Sequence, residues 1–370
     1  MQNAKEQLYV ADVNRLLEHW APPELQESYD NSGLLVGDAR MPVSGILVSL
    51  DLTEAVIDEA MARGCNLIVS HHPIIFGKLK RLVGTDYVQR AVMKAIKNDV
   101  ALYALHTNLD NIRQGVSAHM AEALGLQNCS VLAPKHDLLA KLVTFVPEAS
   151  ASGVRQALFE AGAGWLGNYS HASFNSQGTG TFRPEEGSNP YSGVPGKIQY
   201  EPEIKVEVLF ERWKQQRIVH ALKQAHPYEE VAYDLLPLGN ASAEYGSGIV
   251  GDLLKPMAEL ELLQHIKKCF GGMIRYTALL GKPITRVALC GGSGSFLLPN
   301  ALQAGAQLLL TADFKYHQFF DADNRIVIAD IGHYESEQFT KDLIANYLSK
   351  KITTFAVLIS ETTTNPVNYL

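Results

Sequence analysis

The chain has 370 residues, with 32 Lys and Arg against 39 Asp and Glu, a formal net charge of −7, and a composition that is 46% hydrophobic and 19% charged. Those figures exclude a small disulfide-stapled module and wholesale disorder, and they predict two or three domains around a sizeable core. A mildly acidic chain has no general attraction for polyanions, so composition does not indicate nucleic acid as a partner.

The N-terminal twenty residues, MQNAKEQLYVADVNRLLEHW, carry polar or charged groups every few positions and hold no apolar core of a secretory signal. No stretch approaches the ~20 apolar residues that span a bilayer. The four cysteines, Cys65, Cys129, Cys269 and Cys290, lie far apart and form no C-x-x-C. The expectation is a cytoplasmic protein with reduced thiols and no membrane contact.

Along the chain, Gly45–Leu50 (GILVSL), Leu67–Ser70 and Val100–Leu105 read as buried strands, and Thr53–Arg63 reads as the intervening helix with Thr53 as its N-cap. Further on, strand patterns at Lys141–Val146 and Ile204–Phe210 and helix patterns at Val154–Ala161 and Arg217–Ala225 flank the stretch Gly162–Gly196. That stretch holds eight Gly and three Pro, too turn-rich for a helix or a long regular strand. An inserted α+β domain over residues 137–236 is predicted, leaving 1–136 and 237–370 as a discontinuous core. Strand patterns return at Arg286–Cys290, Gln307–Thr311 and Arg325–Ile331, with a helix around Phe296–Ala304. The fold class is α/β.

The two ends of the chain match each other. A slide of 241 positions puts Val48 on Leu289, Ile57 on Leu298, Ala60 on Ala301, Gly64 on Gly305, Leu67 on Leu308, Ser70 on Thr311 and His72 on Asp313. A slide of 227 puts His106 and Asp110 (HTNLD) on His333 and Glu337 (HYESE), so H-x-x-x-[D/E] follows a strand twice. A duplication is expected, its halves facing each other across one site.

Ser70-His71-His72-Pro73 stands at the end of a predicted buried strand, where α/β sheets place ligand-binding loops. Adjacent histidines point different ways: they ligate two neighbouring metals, or one ligates while the other hydrogen-bonds, or the pair is incidental. The i,i+4 spacing of His333 and Glu337 puts both on one helix face within reach of a common ion, and Asp110 adds a carboxylate at a third strand end. Imidazoles with carboxylates suit a borderline divalent ion such as Zn, Fe, Mn or Co.

SHHPIIF, HTNLD and GHYESE, together with YDNSGLLVG near the N-terminus, resemble the GTP cyclohydrolase 1 type 2 homolog family, also called the NGG-one-interacting-factor-three-like dinuclear metal proteins. The resemblance covers nearly the whole chain. It implies that His71, His72, Asp110, His333 and Glu337 hold two divalent metal ions between two pseudo-duplicated α/β halves. It also implies that the insert is a PII-like or CutA-like domain, carried by GNYS at Gly167–Ser170 and AHPYEEVAYD at Ala225–Asp234. The long members suggest a toroidal homohexamer with metal sites facing an internal cavity. The implied activity is hydrolysis of a small polar or nucleotide substrate, in the family's name the opening of the guanine imidazole ring of GTP. The alternative is a non-catalytic assembly for metal storage, delivery or regulation. Five protein ligands shared by two ions leave coordination positions open, which favours the enzyme. Two departures from the family pattern stand out: Tyr29 replaces a usual Trp, and residues 111–114 (Asn-Ile-Arg-Gln) replace a usually Gly-rich turn.

Other residues admit two readings. His106, one turn before Asp110, and Asp313, the counterpart of His72, are candidates to orient a ligand or handle a proton, His106 as acid or base; the alternative is a hydrogen-bonded histidine at a strand end. Gly291–Ser295 (GGSGS) is either a phosphate cradle or a plain turn, and it lacks the Lys of a P-loop. Lys78, Lys80 and Arg81 meet an anionic substrate or lie on solvated surface. His226 is read as serving packing or assembly.

Overall fold

The computed structural model describes residues 7–353 and 355–370, so the first six residues of the N-terminal segment lie outside the described residues. The chain divides into two compact units, Met1–Pro134 with Ala243–Leu370, and Lys135–Ser242. Among the described residues no helix is long and apolar enough to cross a membrane.

The first unit begins with α1 (Val10–Trp20), β1 (Gly33–Val36), β2 (Ile46–Ser49), α2 (Glu54–Ala62), β3 (Leu67–Ser70), α3 (Tyr87–Lys97), β4 (Ala101–Ala104), α4 (Thr107–Asp110), α5 (Val116–Ala123) and β5 (Gln127–Pro134). The strands β2, β3 and β4 are buried at every position and run parallel, as continuous apolar strands joined by helices should. Thr53 caps α2 as expected, its Oγ1 accepting the Val56 N–H at 3.3 Å.

The second unit contains β6 (Leu139–Pro147), α6 (Ala151–Glu160), β7 (Phe174–Phe182), β8 (Gln199–Glu211), α7 (Gln215–Ala225) and β9 (Tyr233–Leu238). Its strands form one antiparallel sheet in the order β7-β8-β6-β9, with Val154, Leu158, Ile218 and Leu222 of the two helices packed on Leu142, Val206 and Val208. Residue 236, where the sequence reading ends the insert, lies inside β9. The Gly-rich stretch also departs from expectation, because nine of its residues form β7. Composition misleads there because β7 is an edge strand: all nine of its residues pair with β8, and the ladder supplies the order that the glycines do not.

The chain then returns to the first unit as β10 (Gly246–Met257), α8 (Glu259–Phe270), β11 (Arg275–Tyr276), β12 (Ile284–Ser293), α9 (Leu298–Gln303), β13 (Leu308–Ala312), β14 (Val327–Asp330), α10 (His333–Glu337), α11 (Thr340–Lys351) and β15 (Val357–Ile359). The helix expected over Phe296–Ala304 opens as a 3₁₀ turn at Ser295–Leu297 before α9, with Pro299 in its first turn. A six-stranded sheet has the order β11-β14-β13-β12-β10-β5, and a five-stranded sheet the order β1-β4-β3-β2-β15. Pairing repeats between them. Ile46 stands beside Leu67 in the first sheet and Val287 beside Leu308 in the second, which is the slide of 241 at both partners. The next strand is one residue out of step, Leu308 pairing with Val327 where the slide of 227 would give Ile328.

β15 was not legible as a partner of β2, yet it closes the edge of the five-stranded sheet. Glu59 of α2 fastens the chain immediately beyond β15. Its carboxylate accepts from Ser360 Oγ at 2.6 Å, Thr362 Oγ1 at 2.7 Å, the Glu361 N–H at 2.9 Å and Arg63 Nη1 at 2.7 Å. Burial would raise its pKa, but these donors outweigh burial and take it from 4.5 to about 2. Because the folded value lies below the unfolded one, the stabilisation is full above pH 4.5 and drains away as pH falls towards 2. Glu59→Gln should cost about 1–3 kcal/mol at neutral pH and flatten the acid limb of the stability profile. Chemical denaturation from pH 7 to 2.5 checks this, and an unchanged acid limb would contradict it.

Candidate metal centre

Four histidines converge where the parallel strands end. His71 and His72 follow β3, their N–H groups donating to Ser49 O and Leu50 O, which turns the chain sharply. Each imidazole is oriented through Nδ1. That of His71 faces Leu105 O at 2.8 Å, of His72 Asp51 Oδ1 at 2.7 Å, of His333 Asp313 Oδ2 at 2.6 Å, and of His106 Asp30 Oδ1 at 2.6 Å. A carbonyl or carboxylate oxygen only accepts, so Nδ1 carries the hydrogen in each ring and a neutral ring leaves Nε2 with a lone pair.

Those lone pairs meet more acceptors. His72 Nε2 and His333 Nε2 lie 3.3 Å apart and each lies 2.9 Å from Glu337 Oε2. His71 Nε2 lies 3.7 Å from both Glu337 Oε1 and Asp110 Oδ1. Ligand atoms of His71, His72 and Glu337 fall within 4.8 Å of one another. His71 Nε2, Asp110 Oδ1 and Glu337 Oε2 are buried without a hydrogen-bond partner. Acceptor atoms packed against acceptor atoms in a dry pocket are unfavourable unless positive charge joins them. The donor set of imidazole nitrogen and carboxylate oxygen therefore fits a divalent metal, and the carboxylates and the carbonyl behind the rings are the partners that ligating histidines use.

The titration behaviour names the competing source of that positive charge, protons on the His72 and His333 rings. Burial disfavours a charged His72, but Asp51 and Glu337 overcome it and raise the ring to about 9. For His333, Asp313 and Glu337 overcome burial and raise it to about 11. Burial and the Glu337 charge push Asp110 up to about 8, whereas burial of Glu337 is outweighed by His333, His71 and His72, which hold it well below the usual carboxylate range. His71, fully buried, is lowered by desolvation against the pull of Glu337.

A cleft of about 1230 Å³ opens from the cluster. Tyr29, Phe76, Phe296, Tyr334 and Tyr369 supply aromatic wall, and Arg275 is the one Lys or Arg among the described lining residues.

Residues 8–366 match the family described as Duf34/NIF3 (NGG1p interacting factor 3). A Halalkalibacterium halodurans protein named GTP cyclohydrolase 1 type 2 homolog is 40% identical over 97% of this chain and 98% of its own length. A Bacillus subtilis protein of the same name is 36% identical over 97% of this chain and 98% of its own. Among solved structures, a Bacillus cereus protein related to NIF3 superposes with a TM-score of 0.87 at 36% identity, covering 99% of this chain and 100% of that one. This chain belongs to the Duf34/NIF3 family.

In this Duf34/NIF3 protein His71, His72, Asp110, His333 and Glu337 lie around one space. His106 stands beside them, its ring centroid 5.5 Å from that of His71 and 5.4 Å from that of His72. Asp313 holds His333. In the GGSGS segment Gly291–Ser293 belong to β12, and the Gly292 N–H is taken by Ser336 Oγ at 2.9 Å rather than offered to a ligand. Lys78, Lys80 and Arg81 are exposed and lie outside the cleft lining. Among the departures from the family pattern, Asn111 is buried and ties the turn to Leu25 O at 2.9 Å, Glu27 Oε1 at 2.9 Å and Ser247 Oγ at 2.8 Å, while Tyr29 is an exposed part of the cleft wall. The four cysteines are free. Cys290 is buried beside the site, where burial and the charges of Asp110 and Glu337 push its thiol up, so it stays protonated.

Sequence reasoning named Asp313, which stands behind His333, but missed the carboxylates behind His72 and His106. Asp51 follows β2 as His72 follows β3, so a strand-end rule applied to every strand would have found it; Thr364 Oγ1 donates to its other oxygen. Asp30, inside YDNSG, also accepts from the Thr107 N–H at 3.0 Å and from Thr107 Oγ1. Asp51→Asn keeps the shape but removes the charge behind His72, and it should weaken metal affinity by roughly 10–100-fold. Competition with a chelator of known affinity measures this; an unchanged constant would show that Asp51 plays no part in metal binding.

Proposed function

We propose that His71, His72, Asp110, His333 and Glu337 bind two divalent ions of the Zn, Fe, Mn or Co class, and that the protein is a metal-dependent hydrolase of a small polar or nucleotide substrate. The observation that carries this reading is the set of buried, unpartnered acceptor atoms facing one another at the base of a large cleft. When bound, such ions supply Lewis acidity and make water nucleophilic near neutral pH. The chain's own residues do the rest. Asp30 fixes the His106 ring so that Nε2 keeps a lone pair and takes a proton during the reaction. Asp51 and Asp313 hold His72 and His333 in the ligating tautomer. Arg275, held by buried Asp330, offers the cleft a positive group for an anionic substituent. The name shared by the relatives makes GTP the first candidate substrate. The proposal includes a PII-like insert and a homohexameric ring, and analytical ultracentrifugation tests the sixfold mass.

Metal-stripped protein reloaded separately with Zn, Mn, Fe and Co should turn over GTP or a member of a panel of phosphoesters and cyclic amides, and Asp110→Ala should lower the rate at least about 100-fold. Activity equal in Asp110→Ala would identify a contaminant. Tight metal loading without turnover across the panel would overturn the hydrolase and leave a storage, delivery or regulatory assembly.

A further inference from the structure

The second unit carries a cavity of its own, about 660 Å³, in the size range of small-molecule sites. Its floor is set by the sequence of β7. Gly178 pairs with Glu203 and Gly180 with Glu201, so the two glycines leave the face of the sheet beside those glutamates bare. A Cβ on Gly180 would lie 2.2 Å from Glu203 Oε2, so glycine there is what lets the carboxylate lie across the strand.

Glu203 is only 8% exposed. Tyr228 Oη donates to its Oε1 at 2.7 Å, while Oε2 has no hydrogen-bond or ion-pair partner among the described residues. Tyr228 is itself set in place: its N–H donates to His226 Nδ1 at 3.1 Å, and His226 Nε2 donates to Phe145 O at 3.0 Å. The AHPYEE segment thus positions a tyrosine over a buried carboxylate. Two more rings complete the wall, Phe182 and Tyr191, with centroids 6.0 and 5.8 Å from that of Tyr228. The two basic side chains of the lining are already paired, Arg183 with Glu185 at 2.6 Å and Lys205 with Glu207 at 2.7 Å.

A buried carboxylate with one free oxygen, in a cavity lined by three aromatic rings, is complementary to a weakly hydrated cation. We propose that this cavity binds an organic cation bearing an alkylated ammonium group, with Glu203 as counter-charge and Phe182, Tyr191 and Tyr228 as the surrounding faces. Lysine-like primary ammonium groups are strongly hydrated and fit the aromatic wall less well. The site is independent of the metal centre.

Choline chloride is the probe, titrated into the full chain by calorimetry and by saturation-transfer NMR, with 3,3-dimethyl-1-butanol as its neutral isostere. Choline should bind saturably and at least about tenfold more tightly than the isostere, with the same loss in Glu203→Gln. Tyr191→Ala, at a half-exposed position that leaves the Glu203–Tyr228 pair intact, should weaken choline several-fold with unchanged metal content. No saturable binding at roughly 50 mM choline, equal binding of the isostere, or undiminished binding by folded Glu203→Gln would overturn the proposal.

Discussion

Glu337→Ala is expected to bring metal content well below two ions per chain while the fold persists. Its carboxylate reaches three imidazoles: its two oxygens lie 2.9 Å from His72 Nε2 and His333 Nε2 and 3.7 Å from His71 Nε2. Removing it deletes the negative charge that three imidazoles share and leaves three lone pairs facing one another. Loss of an orienting partner costs about 10–100-fold in metal affinity, so loss of a group that joins the rings should exceed about 100-fold. Elemental analysis after gel filtration, with circular dichroism as the folding control, decides it. Two tightly held ions in the variant would sink the ligand assignment.

Gly292→Ala is expected to have a comparable effect without touching a ligand. Gly292 has a φ of 59°, and its added Cβ would stand 2.3 Å from Glu337 Oε1 and 3.2 Å from His333 Cε1. The residue cannot retreat easily, because its N–H is bonded to Ser336 Oγ and its carbonyl accepts from Thr311 Oγ1 at 2.9 Å. Backbone strain in the left-handed region should cost about 1–3 kcal/mol, and displacement of Glu337 should weaken metal binding at least about tenfold. Thermal unfolding and chelator competition measure the two effects separately. Full metal affinity in this variant would mean that Glu337 does not need its present position.

The site was readable from sequence to the extent that its chemistry lies at the ends of apolar strands. β2, β3 and β4 are continuous buried runs, so the polar residues just beyond them stand out: His71 and His72 directly follow β3, and Asp110 ends α4, the short helix after β4. The internal match brought His333 and Glu337 alongside them, and the repeated register of β2–β3 and β12–β13 gives that match a structural counterpart. What escaped were contacts distant in the chain. Asp30 reaches His106 across 76 residues, and Thr364 reaches Asp51 across 313. Neither separation leaves a periodic trace. The tail is missed for the same reason, since three residues of β15 carry too short a pattern to announce a parallel partner. β7 is missed for another reason: glycine and serine read as loop until a neighbouring strand supplies the ladder. Gly292 shows the limit of motif reading, because GGSGS invites a phosphate while its second glycine makes room for a carboxylate.

Whether the facing Nε2 and carboxylate oxygens are metal ligands is decided by crystals of protein reloaded with zinc, with diffraction recorded above and below the zinc absorption edge. Two anomalous peaks are expected, each about 2.0–2.2 Å from nitrogen or oxygen atoms drawn from His71, His72, Asp110, His333 and Glu337. Zinc bound stoichiometrically elsewhere, with these side chains joined only to one another by hydrogen bonds, would contradict the ligand assignment.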